Sequence, residues 1–196
     1  MNIDLLNKIL NVFQKNIVPL TIKGVSLGNK IFGAAILKKN DFSLVVAGTN
    51  NETENPLWHG EVHTLKKFYE ISEKKRPNVK NCLFLTSHEP CSLCLSAITF
   101  SGFDNFYYLF PYQSTLDDFI ILHDLNILKE VFNIDHGKYM KENFYWKSFN
   151  LNHLVERLSK DERKDVIPLL NNIKKTYKEL SEKYQSHKEE NKIPLK

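Results

Sequence analysis

The chain has 196 residues, of which 42% are apolar and 26% charged, with a net charge of +4. That length suits one domain with an appendage, and that apolar share excludes global disorder. No apolar run approaches the roughly 20 residues that cross a bilayer, and the opening Met1-Asn2-Ile3-Asp4 has no signal-peptide core, so a soluble, cytoplasmic protein with no membrane role is expected.

Residues 3–16 place Ile3, Leu5, Leu6, Ile9, Leu10 and Phe13 on one helical stripe, and a loop containing Gly24 and Gly28 follows. Residues 31–37 and 42–47 read as two buried strands joined by a polar turn at Lys38-Lys39-Asn40-Asp41. A loop rich in Gly, Asn, Thr and Pro spans 48–57, and a helix runs from about Trp58 to Ser72, ended by Arg76-Pro77-Asn78. The strand 82–86 leads into a helix that opens near Pro90, where a proline's missing N–H costs nothing, and that stops at Gly102. Residues 105–110 form a fourth strand and 116–132 a further helix. This alternation predicts an α/β fold, a three-layer α-β-α sandwich with a mixed sheet between helices.

The last 46 residues differ. Leu170, Ile173, Tyr177, Leu180 and Tyr184 recur at alternating steps of three and four, a helical stripe too short for a coiled coil. The expectation is a helical extension over 151–196, docked on its own domain or on a twin subunit, with disorder after about residue 186. Residues 159–196 carry 10 Lys/Arg against 7 Asp/Glu, which is +3 of the total charge. The remaining body is nearly neutral, weak ground for a nucleic-acid surface.

The chemistry lies in a split motif, His59-Gly60-Glu61 and, beginning 29 residues after that Glu, Pro90-Cys91-Ser92-Leu93-Cys94. An odd cysteine count with a tight C-x2-C pair points to metal or redox chemistry in a reducing compartment, and Cys82, in an apolar strand, reads as a small buried hydrophobe. Cys91 and Cys94 at i and i+3 on a first helical turn share a face, and the helix N-terminus favours their thiolate form. With His59 they make three zinc ligands, leaving the fourth tetrahedral position to water. Glu61 is then placed to move protons at that water. Two other readings stay open: a closed structural zinc with His63 as fourth ligand, and no metal at all. Glu89 reads as an acceptor capping the helix start.

H-x-E with a later P-C-x-x-C resembles the signature of zinc deaminases. Over about residues 25–110 the chain resembles the cytidine deaminase-like superfamily, specifically its nucleobase and tRNA deaminase branch. Ile31-Phe32-Gly33-Ala34 is similar to that branch's first strand and Gly48-Thr49-Asn50 to its G-x-N. Pro56-Leu57-Trp58-His59-Gly60-Glu61-Val62 parallels P-T-A-H-A-E-V, and residues 86–98 resemble the T-S-C-E-P-C-P-M-C-L-G-A-I of guanine deaminases. The H-G-E form is what fungal cytosine deaminase looks like.

The resemblance implies a deaminase domain over residues 1–150 with a five-stranded sheet, whose fifth strand must lie beyond Phe110. It implies His59, Cys91 and Cys94 as zinc ligands, Glu61 as proton shuttle, Asn50 as the base-recognising amide, and backbone around Gly60 and Pro90 lining the pocket. A C-terminal segment closes over the base in this branch, and the rings Phe144-Tyr145-Trp146 are candidates, Trp146 foremost, although ordinary core packing is the favoured account of them. The implied activity is hydrolytic deamination of a free nucleobase or nucleoside, of cytosine or guanine type, by a homodimer. A tRNA adenosine-to-inosine deaminase and a non-catalytic zinc-stabilised module are the alternatives.

Overall fold

The computed structural model describes residues 3–117 and 119–196. The first helix is longer than its apolar stripe suggested. It runs as α1 (Ile3–Val12), passes through one π-helical turn (Phe13–Ile17) and continues as α2 (Val18–Ser26). Pro19 lies just beyond the π turn, at the start of α2. A regular α-helix would leave Pro19 clashing with a carbonyl one turn back, and the wider turn relieves it. Gly24, expected in a loop, is therefore helical.

Strands β1 (Gly33–Lys38) and β2 (Leu44–Thr49) form an antiparallel pair, and α3 (Gly60–Glu70) follows. Next come β3 (Cys82–His88), α4 (Ser92–Phe100) and β4 (Asn105–Phe110). The sheet order is β2-β1-β3-β4-β5, where β5 is Lys147–Asn150. β1 pairs antiparallel with both neighbours, while β3-β4-β5 run parallel. The sheet is thus mixed and five-stranded, with its last strand beyond Phe110.

Strand alternation sorts the core into two layers. Ala34, Ile36, Phe84 and Phe106 face α3 and α4, meeting Leu65, Phe68 and Ile98. Ala35, Leu37, Leu83, Leu85 and Leu109 face the opposite way, against α1, α2 and the C-terminal helices α7 (Leu151–Glu156) and α8 (Lys160–His187). The α8 stripe (Val166, Leu170, Ile173, Tyr177, Leu180, Tyr184) is buried in that layer, so the extension docks on its own domain. Ser159 and Glu162 close a reciprocal capping box at its start.

Two expected elements differ. The single helix over 116–132 is two, α5 (Tyr112–Asp117) and α6 (His123–Phe132), separated by a segment where Ile120 takes a left-handed φ of 55°. Gln185 of α8 donates to the Phe119 carbonyl at 2.8 Å, so a distant residue secures the break. Pro90 does not open α4. Cys91 is the N-cap and Pro90 precedes it. Beyond α8, residues 188–190 form a 3-10 turn and Ile193 is 3% exposed. Among the described residues, no helix is long and apolar enough to cross a membrane.

The α3 N-terminus lies hard against β1. A Cβ at Gly60 would sit 2.8 Å from the Phe32 carbonyl oxygen and 3.0 Å from Gly33 Cα. Both are backbone atoms and cannot swing away. Gly60→Ala is expected to destabilise the fold by about 1–3 kcal/mol, as overpacking does. Chemical denaturation of the two proteins checks this, and equal midpoints would refute it.

Candidate metal centre

α3 and α4 begin side by side over one face of the sheet, and each offers its N-cap residue to the same point. His59 stands at the N-cap of α3 and Cys91 at that of α4, yet neither makes the standard side-chain cap hydrogen bond. Those positions usually hold Ser, Thr, Asp or Asn bonded back to the first turn. Here the side chains turn toward each other instead. His59 Nδ1 lies 3.4 Å from Cys91 Sγ and 3.8 Å from Cys94 Sγ. Zinc–sulfur bonds of about 2.3 Å and zinc–nitrogen bonds of about 2.0–2.1 Å at a tetrahedral angle need a sulfur–nitrogen separation of roughly 3.6 Å. The donor set and its spacing fit zinc.

Among the described residues, His59, Cys91 and Cys94 are the one group of three or more ligand side chains close enough to share an ion. His63 is elsewhere. Its Nδ1 donates to the Thr49 carbonyl at 2.7 Å and its ring stacks on Trp58. It is not a fourth ligand, and the closed structural site loses its candidate. Three protein ligands are the pattern of a zinc that keeps one position open.

Glu61 is buried beside this group. Thr86 Oγ1 donates to its Oε1 at 2.8 Å, and Cys94 Sγ reaches its Oε2 at 3.3 Å. Burial, with the Cys91 charge, raises its carboxyl above the ordinary range against the hydrogen bond from Thr86. In the metal-free site burial alone would lower His59, but the Cys91 hydrogen bond and charge, with Glu52 and Glu61, push it up to about 9. The hydrogen bond from Cys94 holds Cys91 well down, while burial and that same thiolate hold Cys94 up. The metal-free site thus keeps protons on His59 and Cys94.

A cavity of about 370 Å³ opens on the ligands. His59, Cys91, Lys30, Glu52 and Asp124 supply its polar wall, and Phe32, Leu57, Leu93, Ile121 and Ile127 its apolar one. Ile193, Pro194 and Leu195 close one side. The closing segment is therefore this tail and not Phe144-Tyr145-Trp146. Trp146 is buried in the α3/α4 core layer, 4.9 Å from Phe106 between ring centroids, with Nε1 donating to Thr99 at 2.8 Å. Phe144 and Tyr145 face solvent. Asn50, Gly60 and Pro90 are not lining residues. The Asn50 carbonyl oxygen accepts from the Gly60 N–H and its amide donates to Glu52, while the Tyr112 hydroxyl donates to the Pro90 carbonyl. Glu89 does not cap α4. It accepts from the Tyr112 N–H at 3.0 Å, the Tyr139 hydroxyl at 2.7 Å and Lys141.

Sequence reasoning missed Lys30, Glu52 and Asp124. Glu52 is 4% exposed and ion-paired with Lys30 at 2.9 Å. Burial, then the Cys91 charge, pushes the Asp124 carboxyl well up, opposed by His59 and Lys30. A polar residue in the Asn-rich loop looks solvated in sequence. Only its nearness to His59 was a signal.

His59, Cys91 and Cys94, at paired helix N-termini over a mixed five-stranded sheet, form a three-ligand group that could hold zinc with one position open. The sequence model of the cytidine and deoxycytidylate deaminase zinc-binding region matches residues 15–110 of this chain. It is 36% identical over 89 residues to the guanine deaminase of Bacillus subtilis (strain 168), an alignment covering 44% of this chain and 54% of that protein. The chain thus spans about half the length of that curated relative. Among solved structures, a guanine deaminase from Bacillus subtilis superposes with a TM-score of 0.51 at 24% identity, covering 83% of this chain and 93% of that one. A guanine deaminase from Nitrosomonas europaea gives 0.47 at 19% identity, with 80% of each chain covered.

Zinc binding must displace the protons held on His59 and Cys94, so affinity is expected to fall as pH falls. It should rise through the range where His59 loses its proton, near pH 9, and go on rising above it, because burial and the Cys91 thiolate hold Cys94 well up. Competition with a chelator from about pH 6 to about pH 9 measures this, and a flat profile would contradict it.

Proposed function

We propose that the protein is a zinc-dependent hydrolase that replaces an exocyclic amine on a free nucleobase, of guanine or cytosine type, by a carbonyl and releases ammonia. The observation that carries this reading is Glu61, a buried carboxyl with a raised pKa, within 3.3 Å of a zinc-ligand sulfur. When bound at His59, Cys91 and Cys94, zinc supplies Lewis acidity that lowers a water's pKa from about 16 to about 7. Glu61 would pass one proton from water to the ring nitrogen as the water oxygen bonds to the reacting carbon, then take the remaining proton of that new hydroxyl and pass it to the amine as the C–N bond breaks and the carbonyl forms. Thr86 holds the carboxylate in place for both transfers. Asn50 fixes the start of α3 through the Gly60 N–H, and Tyr112 fixes the Pro90 carbonyl. Both contacts shape the site that holds the base. Asp124, which no hydrogen bond or ion pair engages among the described residues, offers a carboxyl group to the polar edge of the base.

A small heterocycle is favoured over tRNA by the cavity rim. Leu57, Leu93, Ile121, Ile127, Ile193 and Leu195 surround the ligands with apolar groups, where a flipped nucleotide would need a basic approach. The deaminase domain is taken as residues 1–150 and the helical extension as 151–196. Three free cysteines suit the reducing cytoplasm. A homodimer is part of the reading, supported by Phe100, 92% exposed on α4. Light scattering that found only monomer would remove it without touching the chemistry.

Zinc-loaded protein incubated with guanine, cytosine, adenine, their nucleosides and unmodified tRNA is expected to release ammonia from a free base. Glu61→Gln should retain zinc and lose about 10²–10⁴-fold in rate, the contribution of a positioned acid–base group. Undiminished ammonia release by that variant would sink the assignment.

A further inference from the structure

Lys30 and Glu52 make an ion pair at 2.9 Å with side chains 7% and 1% exposed. Burying two charges costs free energy, so such a pair is weak evidence of stability in itself. It is not needed to tie down its loop either. The Asn50 N–H already donates to the Phe32 carbonyl at 2.9 Å, Asn51 to Trp58 at 2.8 Å, and Thr53 to the Asn29 side chain at 3.0 Å.

What the pair faces is more informative. The Glu52 Oε1 that accepts from Lys30 also lies 3.6 Å from His59 Nε2, and Oε2 accepts from Asn50. His59 turns Nδ1 to the two sulfurs, so Nε2 is the nitrogen that carries the proton once a metal is bound. A carboxylate facing that N–H selects the tautomer, fixes the ring and strengthens the nitrogen's donation to the metal. A second negative charge beside two thiolates and Glu61 would be repelled if it stood alone. Lys30 offsets it.

We propose that Glu52, held by Lys30 and Asn50, is the positioning carboxylate of the metal-ligating His59. The proposal rests on the zinc reading of His59, Cys91 and Cys94, but not on which base is deaminated. Glu52 is not one of the three ligand side chains. It acts through the imidazole, and its loss weakens metal binding.

The test is zinc affinity of the full chain, measured by chelator competition with zinc alone as the probe. Metal-free thermal unfolding runs alongside. Glu52→Gln by itself leaves Lys30 buried without a partner, so it is compared with the double variant Lys30→Met and Glu52→Gln, which removes both charges together. The double variant is expected to melt near wild type without metal and to bind zinc about 10–100-fold more weakly, the usual cost of removing an outer partner of a ligand. Cobalt substituted for zinc should keep its thiolate absorption in that variant while its ligand-field bands move. Zinc affinity within about twofold of wild type would overturn the proposal and leave the pair a structural tie. A wild-type chain that binds no zinc would overturn the metal reading itself, a distinguishable result because no step of this test reads ammonia.

Discussion

Two helix N-termini meeting over one sheet face set the terms for everything else in this molecule. An N-terminus leaves N–H groups unpaired, and the residue at its edge normally satisfies them with its own side chain. His59 and Cys91 both forgo that role. The lost caps, worth about 1 kcal/mol each, are offset only if the freed side chains bind something stronger. An imidazole and two thiols within 4.8 Å of one another make a metal ion that partner. The meeting itself depends on backbone contact, because Gly60 lets α3 approach β1 more closely than any Cβ allows.

How far this was legible from residue order depends on where the deciding contacts lie. The metal ligands and Glu61 sit in two short motifs, so spacing alone disclosed them. Strands β1 to β4 were found within about two residues at their ends, because each alternates or runs apolar over the length a strand needs. β5 was not, since Lys147-Ser148-Phe149-Asn150 has a single large apolar residue and is defined by pairing with β4. The break between α5 and α6 escaped for a similar reason, its carbonyl being secured by Gln185 from 66 residues away. Trp146 was drawn toward the site by the company of two other rings, and burial against Phe106 and Thr99 is its actual role. Glu52 lies seven positions before His59 in a polar loop, and nothing local distinguishes it from a solvated acid.

The cavity shows how the two core layers cooperate. Its ligands come from α3 and α4 on one side of the sheet, while Ile193–Leu195 arrive at the end of α8, which packs on the other. Charges are confined to one wall, where Lys30 balances Glu52 and Asp124 stands without an ion-pair partner among the described residues. The remaining wall is aliphatic. A flat heterocycle with a polar edge matches that division, since its faces lie against aliphatic carbon and its edge meets the charged groups.

The docking of α8 on α1 and α2 carries a consequence for biogenesis. Leu6, Ile9, Phe13 and Ile17 belong to the same buried cluster as Val166, Ile173 and Tyr177, which are synthesised some 150 residues later. A ribosome adding about 5–20 residues per second leaves that early apolar stripe uncovered for many seconds. The nascent chain therefore emerges with its first helix lacking a mate. That layer is complete only once α8 has been synthesised and has folded back over α1 and α2.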